Sequence, residues 1–196
     1  MLLTAPSIPS LLIPSAARTL TGTLNFPMPD MAFVHSSGPR TSDERSLNNA
    51  GLFFTTIGAA ITAIKAAGYS QGYAGAYSQV HALPGHTETI TAANAIDIDV
   101  AGVRVIGIGY GDNKPVLTLG TATTASIRFN AKNCLLANVR VVCNIDSLVK
   151  FIDVNINYST ILDTDFITSS TKEALSFIGL ATTFDYLTVK GCRAEQ

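Results

Sequence analysis

The chain has no tryptophan, three cysteines, three histidines and few charges, with only 14% of its 196 residues being Asp, Glu, Lys or Arg. Each shortage excludes something. Without tryptophan, any sugar-stacking platform has to be built from tyrosine or phenylalanine. Cys134, Cys143 and Cys192 are an odd number with no CxxC pair, which argues against a disulfide framework and a zinc site. Thirteen basic and fourteen acidic residues leave a net charge of −1, so the balance favours neither nucleic acid nor an anionic membrane surface. Thr, Gly, Ser and Pro break the apolar stretches well short of the ~20 residues that a membrane span needs. Leu2-Leu3 and Leu11-Leu12-Ile13 have no basic residue ahead of them. Pro6, Pro9 and Pro14 interrupt them, so they do not read as a secretory leader and the mature chain is expected to start near Met1.

What is present is apolar side chain in quantity, 47% of the sequence. Such a chain buries much of itself, in its own core or against partners. Residues 1–45 read as an extended arm. Pro6, Pro9, Pro14, Pro27, Pro29 and Pro39 disfavour a helix or a central strand there. Yet Leu11, Leu12, Ile13, Leu24, Phe26, Met28 and Phe33 need a surface to cover, and these are the candidate partner-binding residues. The remainder, 46–196, reads as one domain that begins with a helix over 52–67. Phe54, Ile57, Ile61 and Ile64 fall on one stripe of that helix, and Lys65 and Gly68 suit its end.

From Ile96 the pattern has period two, and it recurs. Ile96, Ile127, Ile152 and Phe177 open four rungs whose starts are 31, 25 and 25 residues apart. Within a rung, residues such as Ile96 and Ile98 point one way and Asp97 the other. Inward positions that recur at equivalent places mark a coil stacking on itself, which buries its apolar face only against neighbouring rungs. Cys134 falls on an inward position, as a small apolar filler.

The helix, Val80-His81-Ala82-Leu83, the turn Pro84-Gly85, the run His86-Thr87-Glu88-Thr89-Ile90 and the stacked rungs follow one another in an order that resembles the pectate-lyase-like right-handed parallel β-helix. Val103-Arg104-Val105-Ile106-Gly107-Ile108-Gly109 resembles a conserved step of that family, and Leu83 to Gly109 is similar to β-helical proteins of tailed-phage particles. The resemblance extends over residues 50–190. It implies an all-β fold: a short right-handed parallel β-helix of about four to five rungs, with an N-terminal capping helix and an extended N-terminal arm. It further implies a virion location, a major capsid protein or other virion protein as partner, and a homotrimer that buries outward apolar positions such as Ile178 and Leu180.

Chemistry-bearing candidates are few. Asp97 and Asp153 share an outward column with Arg128 between them, and Asp99 stacks with Asn130 and Asn155. Carboxylates so spaced can bind calcium or do acid–base work on sugar, but alternating charge suits pairing across rungs better. Asp163 and Asp165 form a second pair. His86 beside Glu88 reads as a surface turn histidine, without a placed nucleophile. Gly107, Gly109 and Gly111 miss the GxGxxG spacing and read as a tight turn. No catalytic, cofactor or metal site is expected. The leading expectation is a non-enzymatic, capsid-decorating virion protein whose arm anchors a β-helical knob. The alternative is a tailspike or tail-fibre β-helix that binds or cleaves host polysaccharide.

Overall fold

The computed structural model describes residues 31–39, 52–67, 78–181 and 186–196. Three parallel sheets wind around a common core. The first holds seven strands: β1 (Met31–Val34), β2 (Phe53–Phe54), β3 (Gln79–Ala82), β6 (Arg104–Gly107), β9 (Leu135–Ala137), β12 (Ser159–Leu162) and β15 (Leu187–Lys190). The second holds β4 (Thr87–Ile90), β7 (Val116–Leu119), β10 (Arg140–Cys143), β13 (Asp165–Ile167) and β16 (Arg193–Glu195). The third holds β5 (Ile96–Ile98), β8 (Ile127–Phe129), β11 (Ile152–Val154) and β14 (Ile178–Leu180). The chain visits the sheets in rotation from β3 onward, so each turn lays one strand on every sheet. The result is a parallel β-solenoid of about four turns.

The period-two pattern explains the stacking. Ala32, Val80, Val105, Leu136 and Ile161 lie in register on the first sheet, and all are fully buried. Ile96, Ile127 and Ile152 do the same on the third, with Ile98, Phe129 and Val154 two residues on. Burying one such side chain stabilises by about 1.5–3 kcal/mol, and the partner on each side is the same position one coil away. Corners need residues that accept a left-handed backbone. Gly102, Asn133 and Tyr158 fill one corner column with φ of 80°, 60° and 65°, and Asn138, Asp163 and Gly191 fill another with 55°, 47° and 67°.

The helix α1 (Ile57–Ala66) covers the first coil with Ile57, Ala60, Ile61 and Ile64. It begins later than its apolar stripe suggests. Thr56 is extended, and its hydroxyl accepts the Ala59 N–H, which caps the helix there. Phe53 and Phe54, bulky and at home in strands, pair with Phe33 and Val34 as β2.

Three further readings are corrected. A central strand does exist before residue 45: β1 lies between β2 and β3, because Met31-Ala32-Phe33-Val34 contains no proline and Pro29 precedes it. The fourth rung starts at Ile178, not Phe177. Ile152 pairs with Ile178, and Phe177 belongs with Phe151, on which its ring stacks at 5.5 Å. Ile178 and Leu180 therefore sit on inward columns above Ile152 and Val154 and are not outward positions. Leu180, 55% exposed, lies on the last described strand of the third sheet.

Candidate functional site

The outward column of the third sheet is Asp97, Arg128, Asp153 and Gly179, as its spacing predicted. Asp153 is buried between two cations: Lys150 Nζ lies 2.7 Å from Oδ1 and Arg128 Nε 3.6 Å from Oδ2. Lys150 can reach because Gly179, above Asp153, has no side chain, and a Cβ there would collide with the lysine stem. Asp99 pairs with Lys65 from the last turn of α1. Burial, and then the neighbouring Asp99, push the Asp97 carboxyl above the usual carboxylate range, against the opposing pull of Arg128 and Lys65. The Arg128–Asp153 pair fastens one coil to the next, and the Asp99–Lys65 pair fastens α1 to the first coil.

Asp163 and Asp165 do not act as a pair. Asp163 is an exposed corner residue with positive φ, whereas Asp165 starts β13 and is 2% exposed. Lys114 Nζ lies 3.0 Å from one Asp165 oxygen and Arg193 Nε 3.1 Å from the other. Burial raises the Asp165 carboxyl, but hydrogen bonds from Arg193 and Lys114 outweigh it and hold the group below its ordinary range.

His86 is fully buried, not a surface residue. In register, Glu88 occupies the inward column that Leu117, Val141 and Phe166 fill in later coils. One Glu88 oxygen accepts the Ile57 N–H at 2.9 Å and lies 3.2 Å from His86 Nε2. The start of α1 lies directly over the first coil, and its orphan N–H groups need acceptors. That requirement explains a carboxylate where an aliphatic side chain otherwise belongs. His86 Nδ1 has no hydrogen-bond partner among the described residues, and the His35 ring packs edge-on at 6.4 Å.

The glycine run is a corner. Asn138 Nδ2 donates to the carbonyls of Gly107 and Gly109, at 2.8 and 3.0 Å. These carbonyls face a donor, so the run does not present a cradle of N–H groups to a phosphate. Cys134 is buried as expected, and burial pushes its thiol up to about 11. Among the described residues no cluster of three or more His, Cys, Asp or Glu could hold a metal ion, and no helix is long and apolar enough to cross a membrane.

Of the arm residues, Phe33 lies in β1, with its ring 5.7 Å from that of His81. Leu11, Leu12, Ile13, Leu24, Phe26 and Met28 lie outside the described residues.

One feature was missed in the sequence. A cleft of about 550 Å³ runs over the outer face of the seven-stranded sheet, lined by Arg104, Asn133, Tyr158, Thr160, Tyr186 and Thr188. Tyr158 and Tyr186 stack at 5.0 Å with their planes 12° apart, and they are 50% and 59% exposed. The signal was available: each tyrosine stands one residue before a strand start, at the place Gly102 and Asn133 hold in earlier coils.

No protein-family model, curated protein or solved structure matches the chain.

Proposed function

We propose that the chain is a non-enzymatic structural protein of a virion, a capsid-decorating subunit whose N-terminal arm anchors the β-solenoid to the shell. The observation that carries this reading is the stacking itself. Each turn lays one strand on each of three parallel sheets, and a rung buries its apolar face only against its neighbours, an architecture that suits a rigid knob held out from a larger assembly. Three of the candidate carboxylates, Asp99, Asp153 and Asp165, are engaged in ion pairs, which gives secondary support against sugar cleavage at those positions. A homotrimer remains part of this reading, now without Ile178 and Leu180 as its outward contacts.

The test is binding to capsids assembled without this protein, using the full chain and a variant that starts at Met31. The shorter chain keeps β1, so it should fold with an unchanged circular dichroism spectrum but no longer co-sediment with the capsids. Full retention of binding would remove the arm from its assigned role, and failure of the full chain to bind would remove the virion reading.

A further inference from the structure

The corners between the first and second sheets are tight in the later coils, where Asn138-Val139, Asp163-Thr164 and Gly191-Cys192 suffice. The corner after β6 is longer and holds Ile108 to Pro115. Insertions in a stacked repeat gather on one face, often the binding face. This one is braced from several sides. Asn138 holds the carbonyls of Gly107 and Gly109, the Gly85 N–H donates to the Asn113 carbonyl at 3.2 Å, and Lys114 Nζ donates to the Asp163 carbonyl at 3.0 Å. The N–H groups of Asn113 and Lys114 close the turn on the carbonyls of Tyr110 and Gly111. Yet the braced loop leaves its largest side chain in water. Tyr110 is 90% exposed, and the Asp112 carboxylate is fully exposed. Tyrosine is a residue type that anchors protein interfaces, and a loop already held in place has little ordering left to oppose binding.

We infer that this loop is a docking finger for a second copy of the chain, with Tyr110 entering the outer cleft of the seven-stranded sheet and Asp112 meeting Arg104 there. Charge selects that partner first. Arg104 is the one charged residue in the lining of the cleft, and Asp112 is the exposed charge on the finger. The contact of Asp112 with Arg140, at 3.6 Å and open to solvent, is screened and leaves the carboxylate able to pair elsewhere. Size agrees. Leu135 and Leu162 give the cleft an apolar wall, and its volume of about 550 Å³ lies in the range of about 300–1,000 Å³ that encloses a small molecule, room enough for one tyrosine side chain. Tyr158 and Tyr186 cover each other's faces at 5.0 Å, so Tyr110 packs against their edges and not between them. Position decides the symmetry. Arg104 opens β6 and the finger follows the end of β6, so finger and arginine lie at opposite margins of one sheet and within one coil. Copies set side by side with parallel axes meet at equal heights. A finger-to-cleft contact is heterologous, and without an axial offset it closes into a ring instead of a helical filament. The inference rests on the homotrimer of the proposed function, names the contact that would form it, and does not involve the arm.

The test is sedimentation velocity of the full chain from about 1 to 100 μM, a range that captures moderate affinities. A ring has a fixed size, so one discrete species should replace the monomer, whereas coils stacked end to end would give species that keep growing with concentration. Tyr110→Ala and Asp112→Arg should each move the midpoint of assembly about tenfold or more to higher concentration, the effect of losing one anchor. Both side chains are exposed, so both variants should melt with the unaltered chain. Arg104→Asp should weaken assembly likewise, and Arg104→Asp combined with Asp112→Arg should restore it, which a disturbed fold would not do. If Arg104→Asp fails to fold, Tyr110→Ala and Asp112→Arg carry the comparison. A fixed-size species that neither loop variant weakens would overturn the finger and leave the homotrimer standing. A monomer throughout the range, or species that only grow, would overturn both, while the virion reading would still rest on capsid binding.

Discussion

Asn138 makes two contributions from one position. It turns the corner between the first and second sheets with φ 55°, and its amide closes the Gly107–Gly109 loop of the coil below through two hydrogen bonds. Asn138→Ala should destabilise the fold by about 3 kcal/mol, from two hydrogen bonds at about 1 kcal/mol each and the left-handed backbone at about 1 more. Asn138→Gly should recover only the backbone part, and the urea midpoints of the two variants separate these contributions. Asp165 makes a pH prediction. Its carboxyl is held below its ordinary value when folded, so its stabilisation is present above the unfolded pKa, about 4, and is lost as pH falls through the folded value. Asp165→Asn should therefore lower the melting temperature most near neutrality, with the gap closing in acid. A gap independent of pH would show that packing, and not ionisation, matters at this position. Lys114, 13% exposed, should matter more than Arg193, which is 60% exposed and screened by solvent. The cysteines divide by burial. Cys134 and Cys143 are buried and Cys192 is half-buried, and only thiolates react. In native protein at pH 8, iodoacetamide should label Cys192 first, and mass mapping should find Cys134 modified only after unfolding.

Among the elements, α1 and β4 are coupled by a residue that breaks the inward pattern. Glu88 supplies the acceptor for the first N–H of α1 and for His86. Glu88→Leu would restore an aliphatic column over Leu117, yet strand both donors without an acceptor. Leaving buried donors unsatisfied costs about 1–3 kcal/mol each, so Glu88→Leu should be less stable than Glu88→Gln, which keeps an oxygen. Faster amide exchange confined to the first turn of α1 would locate the effect. If Glu88→Leu were the more stable variant, the column would outweigh the cap. The same coupling marks how far the sequence could be read. Stacking on the third sheet was legible from Ile96, Ile127 and Ile152, because aliphatic residues at period two leave few registers. The last coil slipped by one residue because Phe151-Ile152 and Phe177-Ile178 are the same dipeptide, and only matching both letters fixes the frame. Glu88 and His86 were not legible as buried groups: their burial depends on where a helix from another part of the chain comes to rest. β1 was hidden by the prolines around it. The tyrosine cleft went unseen because its residues come from four coils, and no single stretch contains it.

At the scale of the whole molecule, the two ends of the solenoid differ in kind among the described residues. The first coil lies under α1 and is extended by β1 and β2. The last coil bares Leu180 and Val189, the upper members of columns whose lower members Val154 and Ile161 are fully buried. Charge at those two positions has little effect within an isolated solenoid, since solvent already reaches them. Leu180→Lys with Val189→Lys should therefore change the stability of a dilute chain by no more than about 1 kcal/mol. The same charges oppose any coil laid on top, whether from a second copy or another chain, because burying an unpaired lysine costs several kcal/mol. Self-association of the full chain should thus rise with concentration and fall sharply in the double variant, as read by sedimentation velocity. The Asp165 and Asn138 variants test the coils from within, but this one leaves the coils intact and alters only what can stack on them. Equal self-association by both proteins would mean that the exposed coil is not the assembling surface, and the outer faces of the sheets would become the place to look.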